Sequence, residues 1–522
     1  MMRLFDLLDF RAREQGDAEF AVQGERCITY REALAAANRQ ANAMIGAGLQ
    51  IGDRIGILSK NSIEYVLLYF AAAKAGVVPV PLNYRLAPAE WRYILNHAGA
   101  RLLIAAGDYL QSVDSIRREL MVERFITLDS LNTSGWDDYH DWVARYPATP
   151  PAREITTDND LYQMYTSGTT GHPKGAVLTH AAVIAHLAQI GLALVIRPGE
   201  RVLLVAPIFH TAAANAAAFP CVYAGGSLFI QADFNPTQVV RALSEQRIGL
   251  AVLVPAMIQA CLTAVPDVAQ RSYDHLRRIH YGASPIAEPT LRRAMEVFQC
   301  DFSQGYGMTE ATAGLTVLSP ADHRRALAEQ PGLLLSAGRA TVGTELRVVD
   351  PYGTPLPNGA IGEVVGRGPQ LMKGYWNQPD ATAEALRGGW LHTGDAGVID
   401  DEGYLYIQDR VKDMIVSGGE NIYPRVVEEV LFQHPAIADA AVIGVPDERW
   451  GETVKAIVVL RQGMAADAEE IIDFCHGKLG GFERPRSVEF VETLPRNPSG
   501  KLLKRVLREP YWAGHGRRVA GS

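Results

Sequence analysis

A chain of 522 residues exceeds what one compact core usually supports, so more than one domain is expected. Hydrophobic residues at 48% and charged residues at 21% fit an ordinary soluble globular protein. The net charge is -8, with no block of like charge, which argues against a nucleic-acid footprint and leaves any polyanionic ligand to local groups.

In chain order, residues 1–15 carry Arg and Asp throughout and lack a signal-peptide core, so a cytoplasmic protein is expected. Residues 54–105 alternate cleanly. A strand at 54–58 is followed by a helix capped by Ser62, running 63–74 and ended by Gly76. A strand at 77–80, a helix at 88–97 and a strand at 101–105 complete a pattern that implies parallel pairing with right-handed crossovers. Residues 131–158 read as loop-rich. The pattern then resumes with a strand at 161–165, an apolar helix at 180–195 and strands at 202–207, 227–230, 250–254 and 278–281. The uncharged run 211–231 contains Asn215, Pro220 and Gly225-Gly226, breaks that suit a buried helix and then a strand better than a membrane span. Between 340 and 408, short strands with turn signals predict a smaller β-rich subdomain. A last block begins near 411, with strands at 438–442 and 456–460 and helices at 425–432 and 468–479. Cys27, Cys221, Cys261, Cys300 and Cys475 form no CxxC pair and keep no zinc spacing, which predicts free buried thiols.

The strongest local signal is Tyr165-Thr-Ser-Gly-Thr-Thr-Gly-His-Pro-Lys-Gly175. Three glycines let the backbone turn tightly and present N–H groups inward; Thr166, Ser167, Thr169 and Thr170 add hydroxyls and Lys174 a positive charge. A triphosphate needs such groups. The spacing is not that of a Walker loop, because Pro173 precedes the lysine and Gly175 follows it.

This loop resembles the signature of the adenylate-forming superfamily of acyl-CoA synthetases, luciferases and peptide-synthetase adenylation domains. Further family motifs follow in the family's order: Pro207-Ile-Phe-His210, Tyr281-Gly-Ala-Ser284, Gln304-Gly-Tyr-Gly-Met-Thr-Glu310, Trp390-Leu-His-Thr-Gly-Asp395, Asp409-Arg410-Val-Lys412-Asp413, Ser417-Gly-Gly-Glu-Asn421 and Pro498-Ser-Gly-Lys501. The likeness is greatest to fatty-acid-CoA ligases and spans nearly the whole chain. It implies an α/β fold: a large N-terminal domain of parallel-sheet subdomains plus the small β-rich subdomain (1–411), then a small mobile α+β C-terminal domain (412–522).

The family reaction has two halves. A carboxylate attacks the ATP α-phosphate to give acyl-AMP and pyrophosphate; a thiol then attacks the acyl carbon and releases AMP. Such chemistry rests on positioning and charge neutralisation. The resemblance implies a catalytic set of Lys501, Thr166, Glu310 and His210. Lys501 would contact carboxylate and α-phosphate, Glu310 would hold Mg²⁺, and His210 would lie where relatives gate the acyl pocket. The nucleotide would be met by Thr166, Ser167, Gly168, Thr169, Thr170 and Lys174. Gly282, Ala283 and Ser284 would wall the adenine, with Gln304, Gly305 and Tyr306 opposite. Thr309 would bond the α-phosphate, Asp395 both ribose hydroxyls, and Arg410 the ribose or a phosphate. Lys412 sits at the hinge position, and Gly418 and Gly419 would line the pantetheine tunnel.

ATP, Mg²⁺ and coenzyme A are thus the expected cofactors and co-substrates, with a carboxylic acid as the remaining partner; a homodimer stays open. Histidine at 210, where amino-acid-activating relatives have Asp, argues against an α-amino acid. Alanines 212–214 and 216–218 leave volume for a medium- or long-chain fatty acid; an aromatic or other bulky hydrophobic acid is the alternative. A stand-alone carrier-protein loader is a second enzyme class, since about twenty residues after Lys501 leave no room for a fused carrier. A luciferase-like oxidative enzyme is a third. A non-catalytic binding protein is disfavoured by Lys174, Glu310, Asp395, Arg410 and Lys501, none of which folding requires.

Overall fold

The computed structural model describes residues 2–129, 133–166, 173–284, 286–410, 413–418, 420–496 and 502–513. It divides into two compact units, Met1–Leu346 with Gly366–His392, and Arg347–Val365 with Thr393–Ser522.

In the first unit, strand Arg54–Leu58 is buried along its whole length and pairs in parallel with Val78–Pro81 on one side and Ala100–Ala105 on the other. Strands Arg124–Thr127 and Asp137–Asp138 extend this five-stranded parallel sheet. Gly56 lets helix Pro88–Ala98 lie against it, because a Cβ there would sit 2.5 Å from the Leu95 side chain. The Ser62 hydroxyl accepts from the Tyr65 N–H at 3.0 Å to start helix Ile63–Ala75, and Gly76 ends it at φ 70°. That helix is apolar nearly all round, as a helix buried between layers must be.

A second, nine-stranded sheet carries parallel strands Asp301–Tyr306, Arg278–Gly282, Ile248–Leu253, Arg201–Leu204, Ser227–Ile230 and Glu19–Gln23 side by side. Antiparallel strands flank both ends: Arg26–Thr29 at one, Thr316–Leu318 and Arg339–Ala340 at the other. A third, antiparallel sheet holds Asp160–Thr166, Lys174–Thr179 and Gly374–Tyr375.

The uncharged run forms the expected helix and strand, with a π segment inside it. Thr211–Ala213 is α-helical, Ala214–Ala218 is π-helical, and Phe219–Ala224 is α-helical again before strand Ser227–Ile230. Pro220 has no N–H to give to the carbonyl four residues back, and the wider π turn before it absorbs the mismatch. No helix among the described residues is long and apolar enough to cross a membrane.

The second unit contains strands Leu391–Ile399 and Leu405–Arg410 of a four-stranded sheet whose other members are Glu345–Val349 and Gly362–Arg367. It also holds a five-stranded sheet centred on Gly451–Leu460 and Ile437–Asp447, packed on helices Pro424–Leu431 and Ala468–Phe474 through Ile415, Val427, Leu431, Val442, Val458 and Ile471.

The fold is the mixed α/β class that the sequence predicts. Four local expectations change. Residues 131–158 include helix Tyr139–Ala144, started by the Asp138 carboxylate accepting from the Asp141 N–H. Strand 202–207 ends at Leu204, because the segment beyond is taken up by side-chain bonds described next. Helix 468–479 stops at Phe474, and Gly477 takes φ 75° in the turn that follows. Cys27 is exposed and Cys300 half-buried, whereas the other three thiols are buried; Cys27 lies on the edge strand Arg26–Thr29.

Buried Asn61 holds the segment leading to His210. Its amide donates to the carbonyls of Ala206 at 3.0 Å and Gln231 at 3.3 Å, and its oxygen accepts from the Ile208 N–H at 2.8 Å. The Tyr69 hydroxyl adds a bond to the Ile208 carbonyl at 3.0 Å. Replacing Asn61 by Leu orphans three buried backbone groups, so Asn61→Leu should destabilise the protein by about 2–4 kcal/mol. A urea midpoint equal to wild type would show these bonds to be dispensable.

Candidate active site

The glycine-rich signature connects two strands. Thr166, at the end of Asp160–Thr166, lies opposite Lys174, at the start of Lys174–Thr179. Ser167, Gly168, Thr169 and Thr170 lie outside the described residues. The base of this hairpin is fixed from several sides. The Tyr165 hydroxyl is bonded to His97 Nδ1 at 2.7 Å and to the Gln163 amide at 3.1 Å. Arg54, buried, pairs with Asp160 at 2.9 Å and lies 3.4 Å over the Trp376 ring. Trp376 in turn donates its backbone N–H to the Gly175 carbonyl at 2.8 Å.

That anchoring places Tyr375 beside the signature. Its ring lies 5.1 Å from Lys174 Nζ, and its hydroxyl donates to Glu310 Oε1 at 2.6 Å. Glu310 is itself buried, and its carbonyl accepts from the Met372 N–H at 2.8 Å. Lys174 and Glu310, which the motifs implied separately, therefore meet through one tyrosine. Sequence reasoning missed Tyr375, because no spacing rule links position 375 to either partner; its aromatic neighbour Trp376 was the only local signal.

The residues implied as the adenine wall and its opposite side lie at the carboxyl ends of two adjacent parallel strands, the usual location for ligands in such sheets. Gly282 and Gly305 are register partners, and a Cβ on Gly282 would lie 2.3 Å from the Gly305 carbonyl oxygen. Only glycine allows that approach. Beyond the strand end, Ala283 and Ser284 are exposed, Ala283 at φ 67°. Gln304 accepts from the Tyr281 hydroxyl at 3.4 Å, and Tyr306 and Thr309 are half-buried. Thr312 and Ala313 follow at φ 54° and 101°, strained values for residues with a Cβ, in the turn just after Glu310.

His210 precedes helix Thr211–Ala213, with its ring 4.4 Å from that of Phe209. Its Nε2 has no hydrogen-bond partner, and burial pushes its pKa down to about 4, so the ring is neutral at pH 7.

In the second unit, Asp395 and Arg410 are register partners on neighbouring strands. Arg410 Nε meets Asp395 Oδ1 at 2.8 Å, and Arg410 also donates to the Thr393 carbonyl at 2.9 Å. The implied ribose acceptor is thus held by the implied ribose or phosphate donor. Gly418 turns between strands Ile415–Ser417 and Glu420–Ile422 at φ 61°, with space for a Cβ closed by Trp450 at 2.7 Å. Lys412, Gly419 and Lys501 lie outside the described residues.

The second unit also holds a buried charge cluster. Lys504 bridges Glu428 at 2.9 Å and Asp409 at 3.2 Å, and Arg508 pairs with Asp413. Burial pushes the Glu428 carboxyl up, while the two carboxylates hold Lys504 protonated against its own burial. Lys504→Met removes the cation between two buried carboxylates and should cost about 3–5 kcal/mol. The Glu428 pKa lies above its unfolded value, so its burial costs most at high pH and least once it is protonated. The loss should therefore be larger at pH 8 than at pH 5 in urea melts; the reverse order would discard this reading.

Parallel strands in two sheets, a glycine-rich connection ending in Lys174 and a buried Glu310 that meets the same tyrosine are features of an α/β enzyme of the adenylate-forming kind. The AMP-binding enzyme family matches residues 8–376, and the AMP-binding enzyme C-terminal domain matches residues 426–501. The chain is 38% identical over 501 residues to a feruloyl-CoA synthase of Amycolatopsis sp, covering 96% of this chain and 97% of the relative. It is 39% identical over 486 residues to the long-chain-fatty-acid–CoA ligase FadD13 of Mycobacterium tuberculosis (strain ATCC 25618 / H37Rv), covering 93% of each. Among solved structures, the anthranilate CoA ligase AuaEII in complex with anthranoyl-AMP superposes with a TM-score of 0.89 at 28% identity, covering 98% of this chain and 97% of that one. The chain belongs to the AMP-binding enzyme family and is an AMP-forming acyl-CoA synthetase of the adenylate-forming superfamily.

Proposed function

We propose that this enzyme joins a bulky hydrophobic carboxylic acid to coenzyme A through an acyl-AMP intermediate. The observation that carries the reading is the Lys174–Tyr375–Glu310 arrangement at the mouth of the strand ends, where a triphosphate would meet a cation and a carboxylate together. No group of three or more metal-ligating side chains gathers among the described residues. A single carboxylate suits Mg²⁺, which takes few protein ligands and completes its shell with phosphates and water; bound there, it would neutralise phosphate charge. In this reading Thr166, Lys174 and the hydroxyls between them hold phosphates. Gly282–Ser284 and Gln304–Tyr306 enclose adenine, Thr309 meets the α-phosphate, and Asp395 and Arg410 meet the ribose. Lys501 stabilises the charge that develops as the carboxylate attacks.

After adenylation Lys501 must leave the α-phosphate, because the thiol has to approach the adjoining acyl carbon. The portion 412–522 would therefore turn at Lys412 and bring Gly418 and Gly419 to the pantetheine. A cytoplasmic location completes this reading.

The small-residue stretch Ala212–Ala218 favours a medium- or long-chain fatty acid, in line with the relative named for long-chain substrates. The relative named for a feruloyl group supports an aromatic acid instead. Pyrophosphate release across a panel of fatty and aromatic acids, with and without coenzyme A, measures both halves. Acyl transfer only to a carrier protein would replace coenzyme A as the acceptor.

Two substitutions test the roles. Lys501→Ala should abolish acyl-adenylate formation while sparing thioester formation from supplied acyl-AMP; equal loss in both halves rejects the assignment. Asp395→Ala should raise the KM for ATP about 5–10-fold, the equivalent of one or two net hydrogen bonds, with little change in the KM for the acid. An unchanged KM for ATP would return Asp395 to a purely structural role.

A further inference from the structure

Helix Pro88–Ala98 buries Trp91, Ile94, Leu95 and Ala98 in a core shared with Leu58, Val80 and Leu103 of the five-stranded sheet. Tyr93 and His97, four residues apart, form a half-buried face of the same helix, with their rings stacked at 5.5 Å. This face meets the glycine-rich connection at both ends. At the entry, the Tyr165 hydroxyl is 2.7 Å from His97 Nδ1, and the two rings meet edge to face at 5.7 Å. At the exit, the Pro173 carbonyl accepts from the Tyr93 hydroxyl at 3.4 Å, one residue before strand Lys174–Thr179 begins.

The bond at Tyr165 has a fixed direction. Asp160 holds Arg54, and Arg54 Nε donates to Gln163 Oε1 at 3.2 Å. The Gln163 amide therefore turns its NH2 to the Tyr165 oxygen, at 3.1 Å. That oxygen, already accepting, gives its own proton to His97 Nδ1. Burial favours this arrangement at both partners: it pushes the Tyr165 phenol up, so the proton stays, and the His97 imidazole down, so Nδ1 stays bare at neutral pH. Gly175 belongs to the same device. A Cβ there would lie 2.7 Å from Gln163 Nε2 and 3.0 Å from the Tyr165 ring, so the last glycine of the signature clears the relay.

We propose that His97 is a positioning residue for the adenylating half-reaction: with Tyr93 it holds the glycine-rich connection at both ends, Tyr165 and Pro173, for the grip on the ATP β- and γ-phosphates. This rests on the phosphate-binding reading above. A segment anchored at both ends has less conformational freedom to lose when it closes on a ligand, so the anchor is felt in affinity for the groups the segment grips. Those groups are present in ATP and absent from AMP and acyl-AMP. The effect of His97 is therefore confined to ATP and to the first half-reaction, a division that a purely structural role does not produce.

The test uses three substitutions in the full chain. His97→Phe keeps a flat ring beside Tyr93 and removes the acceptor; it should raise the KM for ATP about tenfold in pyrophosphate release. Thioester formation from supplied acyl-AMP should stay at the wild-type rate. His97→Asn, whose Oδ1 falls where Nδ1 stood, should recover most of the loss. Tyr165→Phe, which deletes one oxygen, should match His97→Phe, and the two together should cost no more than either alone. Calorimetry with α,β-methylene-ATP and with AMP reads binding without turnover: His97→Phe and Tyr165→Phe should weaken the first ligand and spare the second. An unchanged KM for ATP, equal losses in both half-reactions, equal weakening of both ligands, or no recovery in His97→Asn overturns the proposal. Tyr165→Phe alone decides the matter if the His97 variants fold poorly. Weakened binding of the ATP analogue alone, in a protein whose wild type releases no pyrophosphate with any acid, would remove the adenylating reading and leave the anchoring intact.

Discussion

The site depends on how closely two strand ends can approach. Gly282 and Gly305 touch backbone to backbone, and this contact determines where Ala283 and Ser284 emerge on one side and Tyr306 on the other. Downstream, the chain enters a short helical turn that buries Glu310 and leaves Thr312 and Ala313 in left-handed conformations. Strain of this kind persists only where surrounding contacts over-determine the backbone. Here the Thr312 hydroxyl is bonded to the Gln370 carbonyl at 2.6 Å, and Gln370 is bonded to Thr344 at 2.7 Å. A polar network in the interior thus holds a backbone that propensity alone would not choose.

The glycine-rich hairpin is treated differently. Its base is braced by Arg54, Asp160, Gln163, Tyr165 and Trp376. Lys174 opens the second strand of the pair, opposite Thr166, so its backbone shares that bracing. Tyr375 connects the two halves of the site, since the strand it belongs to pairs with the hairpin while its hydroxyl reaches Glu310.

Much of this was legible in the sequence, and the reasons are local. Ser62 and Gly76 mark a helix because a hydroxyl cap and a left-handed glycine leave signatures within one turn. Strand Ser227–Ile230 was recovered residue for residue because the glycine pair before it and the apolar run within it are both short-range signals. The motif residues were readable through family likeness, since Asp395 or Lys174 alone would pass for a turn or surface residue. Tyr375 was not legible. It gains its meaning from partners more than sixty residues away, and no periodicity encodes such a meeting. The π segment was equally hidden, as its cause, Pro220, marks a break without saying how the helix accommodates it. The grouping of 347–365 with the C-terminal residues is a tertiary fact of the same kind.

The order of strands in the large sheet also bears on how the protein is made. Glu19–Gln23 emerges early in synthesis, but its parallel neighbour Ser227–Ile230 is about two hundred residues further along. At ordinary translation speeds of about 5–20 residues per second, that edge waits on the order of 10–40 s for its partner. Through that interval the hairpin with Arg26–Thr29 presents an unpaired strand edge next to helix Tyr30–Gly46, whose alanine-rich face has as yet no sheet to cover. The nascent chain is therefore most exposed to wrong pairing before the enzyme has any site at all, which ties its yield in a cell to elongation rate and chaperone supply as well as to the stability of the finished fold.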